Sequence, residues 1–224
     1  MALSGHFAHL TDLMSYSVVA FSAIFFVVDP IAVVPVFITI TEGDSEEKRR
    51  QMARRACAIT AAILLSFLVG GGLIFRLFSL TLAAFKIAGG ILLMLTALDM
   101  LRSVTVRTRT SGKEVQEAAA KPDVAIVPLA MPLLAGPGSI ATVMVLTAQA
   151  QKTWQLVLLA LSIVVTAAAS YLMLRAASLV NRFLGQSGRA ILERVMGLLL
   201  VAIAVQFMIG GVREAFPEIF TARS

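Results

Sequence analysis

The sequence predicts an all-α integral membrane protein, a single membrane domain of six transmembrane helices. Its 224 residues are 58% hydrophobic and only 14% charged, whereas a soluble domain is about half apolar and a quarter charged. Several apolar runs approach or exceed the roughly 20 residues that a spanning helix needs. Prolines interrupt two of these runs at corresponding places in the two halves of the chain. We therefore expect a helical bundle and not a β-barrel, whose strands alternate with period two.

Six apolar runs are candidates for spanning helices, and we number them as spans one to six. They cover residues 15–41, 53–75, 81–101, 124–148, 155–180 and 190–212. No Lys or Arg precedes the first run, and no cleavage pattern of small residues follows it. We therefore interpret span one as a retained helix and not as a cleaved signal peptide.

The basic residues predict the orientation of the chain. Fourteen of the 19 Lys and Arg lie in three windows, at residues 42–55, 102–123 and 175–194. The positive-inside rule assigns such segments to the cytoplasm, so we expect a multi-pass protein of the bacterial inner membrane with both termini outside. The same distribution leaves little basic surface for nucleic acid, despite a net charge of +6.

The two halves of the chain correspond to each other. The predicted parts are a first repeat at 1–101, a cytoplasmic linker at 102–123 and a second repeat at 124–224. Pro30 matches Pro137 at a spacing of 107, and Lys-Ile-Ala-Gly at 86–89 matches Arg-Val-Met-Gly at 194–197 at a spacing of 108. Three spans per half, an odd number, invert the second copy. An inverted repeat with interrupted helices is typical of secondary transporters, whose binding site lies at the repeat interface.

Span one contains the first interruption, formed by Asp29, Pro30 and Pro35 within an otherwise apolar run. A charge at this depth is costly, and each proline removes a backbone hydrogen bond. We therefore expect the helix to be bent or broken near Asp29. Because broken backbone at membrane depth persists only where it faces protein or a wet cavity, this segment is a candidate substrate or ion site.

Span four contains the second interruption, whose members are small or hydroxylated: Gly136, Pro137, Gly138, Ser139 and Thr142. A helix that restarts here offers unpaired N–H groups and the positive end of its dipole, and the glycines let backbone approach a ligand closely. These groups suit a carboxylate, whereas Asp29 suits an ammonium group or a coupling proton. The two breaks together predict a site for a zwitterion near the midplane.

Structural roles stay open for the same residues. The prolines, including Pro132, would then only kink packed helices, and Asp29 would be a buried partner of Lys86 or of a backbone amide. Lys86 lies near the outer end of its span, where a lysine can snorkel to the interface. We expect no catalytic residue, metal site or cofactor, because the chain has two His near one terminus, one Cys and no G-x-x-x-x-G-K loop.

Two motifs resemble the signatures of a known family. The first is D-P-x-x-x-x-P-x-F from Asp29, followed by Thr39 and Thr41, and the second is PLLAGPGSI at residues 132–140. Together with the chain length and the six spans, they resemble the MarC family of small bacterial inner-membrane proteins, also called the neutral amino acid transporter family. The resemblance covers essentially the whole chain. One departure is Ala32, where the family commonly has glycine.

The resemblance implies the six-helix inverted-repeat fold of the LysE-type transporter group and small neutral amino acids, such as glycine or alanine, as substrates. We expect transport by alternating access, with H⁺ or Na⁺ as the coupling ion and a homo-oligomer as one arrangement. The alternatives are an exporter of drugs or other small solutes, a channel, and a non-transporting membrane partner. An intramembrane enzyme would need a nucleophile with a base, or a metal cluster, and neither break contains one.

Overall fold

The computed structural model describes residues 2–101 and 125–218, and helices account for nearly all of these residues. The α-helices in these ranges are α1 Ala2–Val28, α2 Pro30–Ile40, α3 Glu46–Leu77, α4 Leu82–Leu101, α5 Pro137–Gln149, α6 Thr153–Arg175 and α7 Ala177–Ala215. A π-helix, Ala125–Leu134, precedes α5. The described ranges contain no β-strand, so the all-α prediction is confirmed for them.

Five segments of the described ranges are long and apolar enough to cross a membrane. They are Asp12–Ile40, Glu46–Leu77, Leu82–Leu101, Thr153–Arg175 and Ala190–Ala215, and they correspond to predicted spans one, two, three, five and six. Predicted span four begins at residue 124, outside the described residues. Its described part is divided between the π-helix and the 13-residue α5, and neither piece is long enough by itself. The predicted linker at 102–123 also lies outside the described residues.

The start of α3 differs from the prediction, because most of the polar segment before span two is helical. Ser45 caps this helix, since its Oγ accepts a hydrogen bond from the Lys48 N–H at 3.3 Å. Glu46 lies in the first turn, where its negative charge interacts favourably with the positive end of the helix dipole. It also pairs with Arg50, one turn later, at 2.6 Å. A capped and charge-paired first turn therefore extends α3 beyond the apolar run.

The helices α4 and α7 pack antiparallel, with their backbones in close approach. A Cβ on Gly90 would lie 2.8 Å from the carbonyl oxygen of Ala204, and one on Gly211 would lie 2.8 Å from that of Ala83. Glycine permits this approach because it has no Cβ. Close packing of small residues is a main source of helix association in a bilayer, where apolar side chains gain little by leaving lipid.

The remaining contacts bring the interrupted helices together in the centre of the bundle. The helices α1 and α2 pack on α6 and α7, whereas α5 packs on α3 and α4 and the π-helix packs on α3. In addition, α1 contacts α5, and α2 contacts the π-helix. The two helices that meet at the first break are therefore in contact with the two helices that meet at the second break.

Candidate functional site

The first break lies between α1 and α2 at Asp29. The Asp29 N–H still donates to the carbonyl of Phe25 at 2.9 Å, as the last bond of α1, but its φ of 48° and ψ of 65° are left-handed. This conformation is uncommon outside glycine, and Asp is one of the residues that tolerate it. Pro30 then begins α2, where its missing N–H removes no helical bond. The predicted break near Asp29 is confirmed.

The Asp29 side chain caps the helix that follows it. The residue is only 3% exposed, and its Oδ1 accepts a hydrogen bond from the Ala32 N–H at 3.3 Å. The carboxyl group therefore lies at the positive end of the α2 dipole. A carboxylate has about four lone-pair positions, so capping one amide is compatible with binding a cation. The start of α2, however, already holds a carboxylate of the chain itself.

The second break lies between the π-helix and α5. The Ala135 N–H donates to the carbonyl of Ala130, five residues back, at 2.8 Å, and π-helical turns are frequent at functional sites. Gly136 is extended, with φ of −76° and ψ of 169°, and Pro137 begins α5. No side chain in the described part of the chain caps the start of α5. The N-terminus of α5 is thus open where that of α2 is occupied.

Two buried side-chain hydroxyls donate hydrogen bonds to backbone carbonyls around the second break. The Ser139 Oγ lies 3.1 Å from the carbonyl oxygen of Leu134 and 2.9 Å from that of Gly136, and it donates to this pair across the break. The Thr142 Oγ1 donates to the carbonyl of Gly138 at 2.9 Å. Each hydroxyl proton is therefore used by the backbone, and only the oxygen lone pairs are left to accept from a ligand.

A small pocket of about 60 Å³ lies against the second break. One side is the start of α5, and the other is formed by α1, α4 and the π-helix, through Val27, Leu92, Leu93, Leu95, Thr96 and Leu133. Gly138 lets Leu93 and Val27 pack closely against the start of α5, since a Cβ there would lie 2.8 Å from Leu93 Cδ2 and 3.4 Å from Val27 Cγ1. The pocket combines a helix N-terminus with an apolar wall.

The structure brings half of the predicted site residues to this pocket. Gly136, Pro137, Gly138 and Ser139 line it, whereas Asp29, Pro30, Pro35 and Thr142 do not. Val27, two residues before Asp29, contributes to the wall and links the two breaks. The binding role of all eight residues stays a prediction. The sequence did not reveal the apolar wall, because Leu92 and Leu93 look like any lipid-facing leucines until α4 is seen beside α5.

Lys86 has a different partner from the one considered in the sequence. Its Nζ lies 2.5 Å from Oε2 of Glu214 on α7, so the pairing of Lys86 with Asp29 is wrong. The other structural alternative, a bond from Asp29 to a backbone amide, is present at Ala32. The Lys86 side chain is 10% exposed and that of Glu214 is 41% exposed, which is consistent with a pair near the end of a span.

Comparison with known proteins identifies the family. A family model described as MarC family integral membrane protein matches residues 14–216, which include both breaks. The chain belongs to the MarC family. This finding confirms the resemblance of the two motifs, and it makes the protein an integral membrane protein with several membrane-spanning helices.

Relatives of this MarC protein occur in archaea and bacteria. A UPF0056 membrane protein of Methanocaldococcus jannaschii is 43% identical over 202 residues, which cover 90% of this chain and 98% of the relative. The UPF0056 membrane protein YvbG of Bacillus subtilis is 34% identical, over 92% of this chain and 98% of its own length. YhcE of Escherichia coli is 32% identical, over 88% and 92% respectively. No solved structure matches the chain.

Proposed function

We propose that this MarC protein is a secondary transporter that moves small neutral amino acids, such as glycine and alanine, by alternating access. The observation that carries the proposal is the uncapped N-terminus of α5, which opens onto a small apolar-walled pocket. Asp29, a buried carboxylate at the other break, provides the opposite charge. A zwitterion with a short apolar side chain matches these features.

The substrate carboxylate would bind at the start of α5. Helix N-termini bind anions through their first N–H groups and their dipole, and Gly138 lets those groups be approached closely. The substrate side chain would lie against Leu93 and Leu133 in the apolar wall. A pocket of about 60 Å³ favours a methyl group or a hydrogen atom over a longer side chain.

Matching burial in α3 and α6 supports the inverted repeat. Residues 51–64 of α3 and 161–174 of α6 are buried, half-buried and exposed in the same order at every position. Thr60 donates its hydroxyl to the carbonyl of Ala56 at 2.9 Å, and Ser170, 110 residues later, donates to that of Thr166 at 2.8 Å. Spans two and five thus share one burial pattern, as two copies of a repeat would.

Reciprocal contacts between α4 and α7 support the same relation. Gly90 lies against the carbonyl of Ala204, and Gly197 lies against that of Ala97. A spacing of 107 residues relates Gly90 to Gly197 and Ala97 to Ala204. The two contacts are therefore equivalent when the two halves of the chain are exchanged. This spacing is one less than the 108 of the sequence match at Lys86. The antiparallel direction of the two helices agrees with an inverted second copy.

Contacts at the two ends of α6 support the proposed orientation, with both termini outside the bacterial inner membrane. At one end, the rings of Tyr16 and Trp154 meet edge to face with centroids 5.5 Å apart, and such aromatics are enriched at membrane interfaces. At the other end, Arg49 Nη2 lies 3.3 Å from Ser178 Oγ. Basic residues cluster at this second end, which we assign to the cytoplasm.

Reconstituted vesicles test the proposal. We expect saturable uptake of labelled glycine and alanine when a proton or sodium gradient is imposed, and we expect Asp29→Asn to reduce it at least tenfold. Empty vesicles are the background. Unlabelled alaninamide, which lacks the carboxylate, should compete poorly with alanine because it cannot use the start of α5. Absence of uptake by folded wild-type protein would reject amino acid transport and leave the exporter, channel and partner alternatives.

A further inference from the structure

A row of hydroxyl side chains is buried along α6, a helix that packs mainly against α1, α2 and α3. Ser162, Thr166 and Ser170 form this row, and each is at most 5% exposed. Ser162 donates to the carbonyl of Leu158 and Ser170 to that of Thr166, both at 2.8 Å. Thr166 differs from both, because its Oγ1 is buried and has no hydrogen-bond partner among the described residues. A helical threonine can bond to the carbonyl one turn back, and this one does not.

Packing alone gives no reason for the Thr166 hydroxyl. In α3, whose residues are buried in the same order, Ala56 occupies the position that corresponds to Thr166. A methyl group is therefore sufficient at this place in the bundle, whereas an unsatisfied buried hydroxyl destabilises a fold. Each such group in a native structure calls for an explanation, and a ligand that pairs with the hydroxyl only when bound provides one.

Thr166 lies at about the same depth as Asp29. The ring contact of Tyr16 with Trp154 fixes the register of α1 against α6, and the two helices run in the same direction from it. Asp29 follows Tyr16 by 13 residues and Thr166 follows Trp154 by 12, which at 1.5 Å per residue is about 20 Å and about 18 Å. The helix that carries Thr166 also contacts both α1 and α2, the helices that Asp29 joins.

We propose that the Thr166 hydroxyl acts with the Asp29 carboxylate to bind a small monovalent cationic group near the middle of the membrane. The group is either Na⁺ or the primary ammonium of the substrate, since oxygen atoms bind both. Ion sites at broken helices in transporters have this composition, with helix ends and nearby side chains supplying the oxygens. The proposal deepens the transport function and rests on it for the identity of the substrate.

The first experiment measures cation-dependent thermal stability of the purified full chain in detergent, with choline chloride holding the ionic strength constant. NaCl tests the ion, and methylammonium chloride tests the ammonium group. We expect one of the two to raise the Tm of the wild type, and Thr166→Val to require a cation concentration about tenfold higher or more for the same shift. Thr166→Ser should retain the wild-type response.

Thr60→Val is the matched control, since it removes a buried hydroxyl that is already bonded to the carbonyl of Ala56. It should leave the cation response unchanged. Without added cation, Thr166→Val should be at least as stable as the wild type, because it removes an unpaired group. A loss of stability in Thr166→Val, a response equal to that of the wild type, or no wild-type response to either cation would overturn the proposal.

Uptake measurements separate this proposal from the transport function. If Na⁺ is the ligand, Thr166→Val should raise the Na⁺ concentration that gives half-maximal alanine uptake. If the ammonium group of the substrate is the ligand, Thr166→Val should raise the KM for alanine and leave the Na⁺ dependence unchanged. A cation response that is lost in Thr166→Val, in a protein that takes up no amino acid, would support the cation site and reject the amino acid substrate. If Thr166→Val leaves alanine uptake and its Na⁺ dependence unchanged, the result would support amino acid transport and reject the cation site at Thr166.

Discussion

The two breaks occupy corresponding positions in the chain but end differently. At the first, Asp29 turns the backbone into the left-handed region, and its own carboxylate caps the helix that follows. At the second, Gly136 is extended, no side chain caps the next helix, and a pocket lies beside it. Both downstream helices begin with a proline, Pro30 and Pro137.

This difference shows how one motif, a helix that restarts with a proline after a break, can form either a negative or a positive site. A helix N-terminus attracts anions, and an aspartate fixed there turns the first break into a negative site. The second break keeps its positive end open. In the proposed transporter, the first break therefore serves the cationic part of the substrate or the coupling ion, and the second serves the carboxylate.

The largest effect is expected for Gly138→Leu, which closes the second break. The new side chain would occupy the space of Leu93 and Val27, so we expect uptake to be abolished. Overpacking of this kind also lowers the free energy of unfolding by about 1–3 kcal/mol. Gly70→Leu is the control, because a Cβ at Gly70 meets no atom within 4 Å. Normal uptake by a folded Gly138→Leu protein would separate the pocket from transport.

A smaller effect on stability is expected when the first break loses its cap. Asp29→Ala removes the hydrogen bond to Ala32 and leaves a left-handed alanine, so we expect the free energy of unfolding to fall by about 1–3 kcal/mol. Asp29→Asn keeps a capping oxygen and tolerates the conformation, and should unfold close to wild type. Denaturation in detergent compares the two variants. Equal stability of both would mean that the cap contributes nothing.

The smallest effect is expected when the second break is made to resemble the first. Gly136 has a φ that any residue adopts, and Gly136→Ser would supply a side-chain cap to α5. Because glycine and serine differ by only a few tenths of a kcal/mol as caps, we expect little change in stability. The KM for alanine should rise by about tenfold, since the hydroxyl competes for the same N–H groups. An unchanged KM would argue against carboxylate binding at this end.

Features that depend on neighbouring residues could be predicted from the sequence. The breaks follow from Pro30 and Pro137, because a proline disturbs a helix only within about one turn of its own position. Ser45 is recognisable as a cap from its position before a charged helix start. The left-handed turn at Asp29 was not predictable in this way. A residue before proline usually prefers an extended conformation, and the surrounding bundle overrides that preference here.

Features that depend on distant residues could not be predicted. Lys86 and Glu214 are 128 residues apart, and no local pattern connects them. The sequence offers Asp29 and the second motif as one site, but Asp29 does not line the pocket, which receives most of its apolar wall from α4. Thr166 shows the same limit, since the spacing of Ser162, Thr166 and Ser170 is visible in the chain while the bonding of each hydroxyl is not.

The glycine contacts between α4 and α7 also determine which parts of the molecule can move. Gly90 and Gly211 are already too close to the opposite backbone for any side chain, so sliding one helix past the other by a turn would bring larger residues against those carbonyls. A transport cycle that keeps this interface carries α4 and the part of α7 that follows the non-helical Gly185 as one rigid body. In the described residues, the hinges are then left to the places where the helical backbone is interrupted, at Asp29, at Gly136 and at Gly185 within α7.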